Sequence, residues 1–220
     1  MLAADRMRPV PITAYSLCNA MGMTTAEVVE ALGAGRSGLG PCPPEIGLGG
    51  FGGLGGLGGA EGPAGRIMVG AMPGPLPALP ARLAAYDTRL TRIAALAVAE
   101  LRGPLDRARA RWGRDRIAVL LGTSTGGIGE SERAHAYHHF HGALPPGYSV
   151  ETSHALDASL PVVCALADVS GPAYVLSTAC SSSAKVFAAA GLDRGRVTVI
   201  YGSVYGEIRT TIDLLSLIHI

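Results

Sequence analysis

Between Tyr174 and Ala190 the chain changes character abruptly, and that change limits what it can fold into. Tyr174-Val175-Leu176 is a short apolar run bounded upstream by Gly171-Pro172, the pattern of a buried strand. Ser181-Ser182-Ser183 then leads into Ala184 to Ala190, good helix formers apart from Val186 and Phe187. Cys180 therefore stands where a strand turns into a helix. The first amides of a helix have no internal acceptor, and the helix dipole places partial positive charge there. Both favour thiolate, the nucleophilic form of cysteine. Two readings of Cys180 follow: an activated nucleophile at an element end facing a cleft, or a small buried hydrophobe at a strand end.

The 220 residues allow one domain, or two small ones, with a sizeable core. A hydrophobic content of 48% beside 16% charged residues fits a well-buried α/β domain. With a net charge of +1 and no basic tail or stripe, nothing points to nucleic acid or to an anionic membrane. Cys18, Cys42, Cys164 and Cys180 are widely spread, with no CxxC pair, which suits a reducing cytoplasm. The first six residues, with Asp5 and Arg6, hold no apolar h-region, so no signal peptide is expected. No apolar run approaches the roughly 20 residues that span a bilayer.

In chain order, residues 9–18 form a β-prone segment, Asn19 to Gly22 a turn, and Thr24 or Thr25 caps a helix reaching Leu32. Val28, Val29 and Leu32 are spaced for its buried face, and Ala34-Gly35-Arg36-Ser37-Gly38 ends it. Gly47 to Gly65 is glycine-biased. Gly47, Gly49 and Gly52 match GxGxxG, but no strand leads in and no helix follows, so a flexible loop is expected. Residues 66–70 read as a strand. Thr88 to Leu101 is an amphipathic helix with Leu90, Ile93, Ala97 and Leu101 on one side. Ala108 to Arg114 is basic and solvated. Arg116 to Leu121 is a central strand by its continuous apolar run. Ser159 to Asp168 is a short apolar helix with Pro161 in its first turn, and Arg196 to Tyr201 is a further strand.

Two other segments offer rival chemistry. Gly122-Thr123-Ser124-Thr125-Gly126 has the GxSxG spacing of a hydrolase nucleophile elbow, with Ser124 as its serine. An elbow needs an acid and then a histidine. Asp157 and Asp168 follow, but the histidine beyond them is His219, so the order is barely satisfiable. His135, His138, His139 and His141 have spacings that could gather three imidazoles on one helical face, as at zinc. No cysteine or carboxylate of ligand spacing closes that set, and a helix polar on all sides is the preferred reading. His154 receives no role.

Ser177-Thr178-Ala179-Cys180-Ser181-Ser182-Ser183 resembles the active-site cysteine segment of β-ketoacyl-acyl-carrier-protein synthases, the condensing enzymes of fatty-acid and polyketide synthesis. The first strand and helix, ending in Ala34 to Gly38, and the Gly122 to Gly127 turn are similar to the same family, in the same order. The resemblance covers roughly residues 9–190, an amino-terminal half. The Gly47 to Gly65 bias and the early Gly191-Leu192-Asp193-Arg194-Gly195 interruption depart from it. It implies a thiolase-like α/β fold: one half of a layered α-β-α-β-α body, with a mainly parallel sheet covered by helices. It implies a truncated synthase domain over residues 9–214. Residues 215–220, which resemble a translated transposase end, are read as a non-native tail. It further implies a homodimer or a related heterodimer in the cytoplasm. No bound cofactor or metal is implied, and substrates would ride on the phosphopantetheine of an acyl-carrier protein. Cys180 would take an acyl group as a thioester and pass it to the carbanion from decarboxylated malonyl-carrier protein. The two histidines that drive decarboxylation in the family belong to the second half. The rival functions are a serine hydrolase using Ser124 and a non-catalytic condensing-enzyme partner subunit, against which Cys180 argues.

Overall fold

The structure, a computed structural model, describes residues 12–41, 68–192, 197–204 and 214–219. The glycine-rich Gly47 to Gly65 segment and the first residues of the chain lie outside them. Strands β1 (Ala14–Cys18), β4 (Ile117–Gly122), β5 (Ala173–Leu176), β6 (Val197–Val204) and β7 (Leu214–His219) form one sheet in the order β1-β7-β6-β4-β5. β4 is parallel to both β5 and β6, while β7 is antiparallel to β6 and to β1. Strands β1, β4, β5 and β6 therefore all point the same way. The expected mainly parallel α/β sheet is present, and the carboxyl ends of these four strands share one edge. A separate hairpin-like pair joins β2 (Leu39–Pro41) to β3 (Met68–Gly70).

The apolar run of β4 explains the layering. All six of its residues are buried, which requires a cover on each face. Ile117, Val119 and Leu121 point to one side, where α2 (Arg89–Glu100), α3 (Arg102–Trp112) and α5 (Leu160–Ala167) supply Ile93, Ala97, Leu105, Val163 and Ala167, and Leu101 joins them from between α2 and α3. Ala118 and Leu120 point to the other side and meet Val186 and Ala190 of α6 (Ser182–Leu192). Helix α2 matches its periodicity, and Thr88 caps it through a hydrogen bond accepted from the Thr91 amide. Pro161 opens α5 as expected.

Three expectations need correction. Helix α1 (Thr25–Gly33) is capped by Thr24 and buries Val28 and Ala31, but Val29 and Leu32 are 50% and 58% exposed. The helix is tethered at its start, where the Thr25 hydroxyl accepts from the Leu17 amide and Glu100 holds the Thr25 amide. Val28 and Ala31 face inward, while Val29 and Leu32 lie outside that contact. Second, β5 is half exposed rather than buried, with Tyr174 at 37%, because it is the sheet's edge and pairs only with β4 among the described strands. Third, α4 (Ile128–His141) is not polar on all sides, since Ser131 and Ala134 are buried along one narrow stripe. Its four histidines are exposed, and no group of three metal-ligating side chains occurs among the described residues.

These burial differences set a stability ranking. Leu120→Ala, which empties the α6 side of β4, should cost about 2–5 kcal/mol, whereas Leu32→Ala should stay within about 0.5 kcal/mol. Urea unfolding curves of the two variants measure both. Equal losses would contradict the exposure of α1's outer face.

Candidate active site

At the shared carboxyl edge, the turn from β5 into α6 carries Cys180. The strand ends at Leu176 and the helix begins at Ser182, so Cys180 lies two residues before the first helical residue. The thiol is exposed, which removes the reading of a small buried hydrophobe. Ala179, just before it, has φ +53°, a left-handed conformation uncommon for a residue with a Cβ and costing roughly 1–2 kcal/mol. That conformation turns the chain sharply enough to present the next side chain outward.

Ser182 holds the turn. Its side chain is buried, and its hydroxyl accepts from the Thr178 amide at 2.9 Å. The same hydroxyl lies 2.6 Å from the carbonyl of Ala179 and 3.1 Å from that of Thr123, to which it donates. The Thr123 amide in turn donates to the Leu176 carbonyl at 3.2 Å. Thus the cysteine turn is tied to itself and to the end of β4. The Ser181 hydroxyl adds a bond to the Thr178 carbonyl at 2.8 Å. Each such bond contributes about 0.5–1.5 kcal/mol net, enough together to offset the Ala179 strain.

The glycines after β4 make room for this arrangement. A Cβ on Gly122 would lie 3.0 Å from Ser182 backbone and from Val186 Cγ2, so a glycine lets α6 seat closely on the strand end. On the far side, a Cβ on Gly127 would meet the Ser153 carbonyl at 1.8 Å. The π-helical turn Val150–His154 sits directly against it, and the Gly127 amide donates to the His154 carbonyl. That turn is fastened in its own right. Ser131 in α4 is hydrogen-bonded to His154 Nδ1 and, at 2.6 Å, to the Tyr148 hydroxyl. Sequence reasoning gave His154 no role and did not find Ser131, Tyr148, Thr123 or Ser182. Thr123 and Ser182 stand within the two motifs, but the bond that joins them spans 59 residues, as the bonds of Ser131 span 17 and 23.

Ser124 shares the edge with Cys180, and the structure brings both to neighbouring turns. It does not assemble a hydrolase triad around Ser124. His219 is in register with Val199 of β6, itself opposite Val119 of β4. That is five residues short of Ser124, roughly 16 Å along the strand direction. Iodoacetamide on the native chain should therefore modify Cys180 well before Cys18, which is 1% exposed, or Cys164, whose thiol pKa is raised by burial and whose thiolate is scarcer for it. A fluorophosphonate should leave Ser124 unlabelled. Peptide mass mapping reads both, and labelling of Cys164 first, or of Ser124 at all, would contradict the geometry.

Comparison with known proteins agrees with this architecture. Among solved structures, the ketosynthase ApeO in complex with its chain length factor ApeC, from Xenorhabdus doucetiae, superposes with TM-score 0.68 at 20% identity, covering 100% of this chain and 59% of that one. The ishigamide ketosynthase/chain length factor gives 0.70 at 18% identity, with 94% and 60% covered. A beta-ketoacyl synthase from Burkholderia phymatum STM815 gives 0.62 at 20%, with 87% and 46% covered. At these identities the likeness concerns the fold, and the chain spans about half to three fifths of the length of the structures it matches. No curated protein matches the chain. The model of the beta-ketoacyl synthase N-terminal domain matches residues 87–208, more than half of the chain and the part that carries β4, the glycine turn and Cys180. With that match added to a ketosynthase fold, the chain belongs to the beta-ketoacyl synthase family as an amino-terminal domain.

Proposed function

We propose that the protein is the cysteine-bearing half of a condensing enzyme, and that Cys180 accepts an acyl group from acyl-carrier protein. The observation that carries this is an exposed thiol on a turn braced by Ser182 beside the start of α6. A nucleophile must be reachable and must not drift; this one is both. Cys180 thiolate attacks the carbonyl carbon of a thioester on the phosphopantetheine arm. The carbonyl electron pair moves to oxygen, and the backbone amide of Cys180 is one donor for that oxyanion. The pair returns, the bond to phosphopantetheine sulfur breaks, and that sulfur leaves to take up a proton. An acyl-Cys180 thioester remains.

Extension then needs a carbanion from malonyl-carrier protein, which attacks the acyl carbon and releases Cys180. The groups that promote that decarboxylation are assigned to a second half, outside residues 9–214. On this proposal the 220-residue chain accepts acyl groups but condenses them poorly. Fatty-acid and polyketide pathways both fit.

A second reading, a non-catalytic partner subunit, draws on the chain length factors in two of the structural matches. Both readings place another ketosynthase-type chain, identical or related, beside this one. The outer edge of β5 supports that, since it pairs with no described strand and such an edge is open to strand addition. Cys180 separates the readings. Intact-protein mass spectrometry after incubation with acyl-carrier protein should show one acyl adduct on the wild-type chain and none on Cys180→Ala. A wild-type chain without an adduct would favour the partner subunit.

A further inference from the structure

We propose that the crevice between α2, α3 and α5 binds a small organic dianion of the phosphate monoester class, its phosphate held by Arg82 and Arg102. This site goes beyond the acyl-transfer reading and does not depend on it. The crevice encloses about 300 Å³, the lower end of the ~300–1,000 Å³ typical of small-molecule pockets. Its floor includes Val98, Leu105 and Leu166, and its rim carries Arg82, Arg102 and Arg109 together with Asp168.

The charges do not balance. Among the described residues, no carboxylate lies within ion-pair distance of Arg82 or Arg102. Arg109 is held by Asp106 and by the Ala167 carbonyl, with Asp168 3.7 Å away. Asp168 is shared, lying 2.7 Å from Arg114. Asp106 and Asp168 serve Arg109 and Arg114, which leaves Arg82 and Arg102 as the cations without a carboxylate in a crevice of net positive charge, and a concave site concentrates that field. Guanidinium forks match phosphate oxygens two at a time. A phosphate monoester brings about 1.5–2 negative charges at neutral pH, which suits two unpaired cations. The apolar floor then calls for a small hydrocarbon body beside the phosphate. The crevice is also remote from the candidate active site. It opens on the α2–α3–α5 face of the sheet, while Cys180 stands at the carboxyl edge beside α6 on the opposite face.

Phenyl phosphate joins both features and serves as the probe. Isothermal titration of the full chain at pH 7.5 and low salt should give saturable one-to-one binding. Arg82→Gln and Arg102→Gln should each weaken it about tenfold, as loss of a charged hydrogen bond implies, while leaving the thermal midpoint of the free protein unchanged. Arg102→Lys should fall between wild type and Arg102→Gln. Inorganic phosphate and phenylacetate should each bind more weakly than phenyl phosphate. So should phenyl phosphate at pH 5, below its second ionisation near pH ~6. Absence of saturable heat would overturn the site, as would a folded double variant, Arg82→Gln with Arg102→Gln, that binds like wild type. Phenylacetate binding as tightly as phenyl phosphate would overturn the dianion class, and equal binding of inorganic phosphate would overturn the apolar floor.

Discussion

A strand with no face in water must satisfy its backbone through its neighbours and its side chains through layers on both sides. β4 is such a strand. Its backbone is shared with β5 and β6, and its odd and even residues enter two separate clusters, one under α2, α3 and α5 and one under α6. The parallel pairing brings the ends of β4 and β5 to one edge, and the two-sided burial places α6 where its first turn meets that edge. The position of Cys180 follows from those two conditions. It needs no contact specific to the thiol.

Fine positioning is local and polar. The Ser182 hydroxyl joins the Thr178 amide to the carbonyls of Ala179 and Thr123, so the cysteine turn and the glycine turn behave as one piece. Gly127 is a spatial condition for that union, because a methyl group there would strike the Ser153 carbonyl, and Gly122 eases it, because a methyl group there would press on Ser182 backbone and Val186. The Gly-Thr-Ser-Thr-Gly-Gly string thus owes its glycines to close packing on two sides, by α6 and by the His154 turn. A hydrolase elbow and a packing wedge can share a spelling. They differ in what stands next to the serine.

Much of this was legible in the sequence where a single element decides the matter. β4 announced itself by an unbroken apolar run, α2 by its period, and the cysteine turn by the switch from β-prone to alanine-rich residues. What stayed hidden depends on neighbours. Val29 and Leu32 look like core residues until the anchoring of α1 at Thr25 leaves them outside. Tyr174 looks buried until β5 proves to be an edge. Arg82 and Arg102 lie twenty residues apart and look like ordinary solvated charges. Only the packing of the 3-10 turn Ala81–Tyr86, which carries Arg82, and of α2 beside α3 and α5 brings them to one concavity.

The edge offers two candidate nucleophiles of opposite design, and the backbone distinguishes them. Before Cys180 the positive φ falls on Ala179, so the chain accepts strain at the residue that aims the thiol outward. After Ser124 the positive φ falls on Gly126, where no strain is stored and where a Cβ would come within 2.5 Å of the His154 carbonyl. The strain at Ala179 is offset by the polar contacts of Ser182 around it. A relaxed glycine under a neighbouring turn indicates a position held for its lack of a side chain. The turn after β4 is thus shaped by packing against the His154 turn, and the turn after β5 leaves the Cys180 thiol exposed.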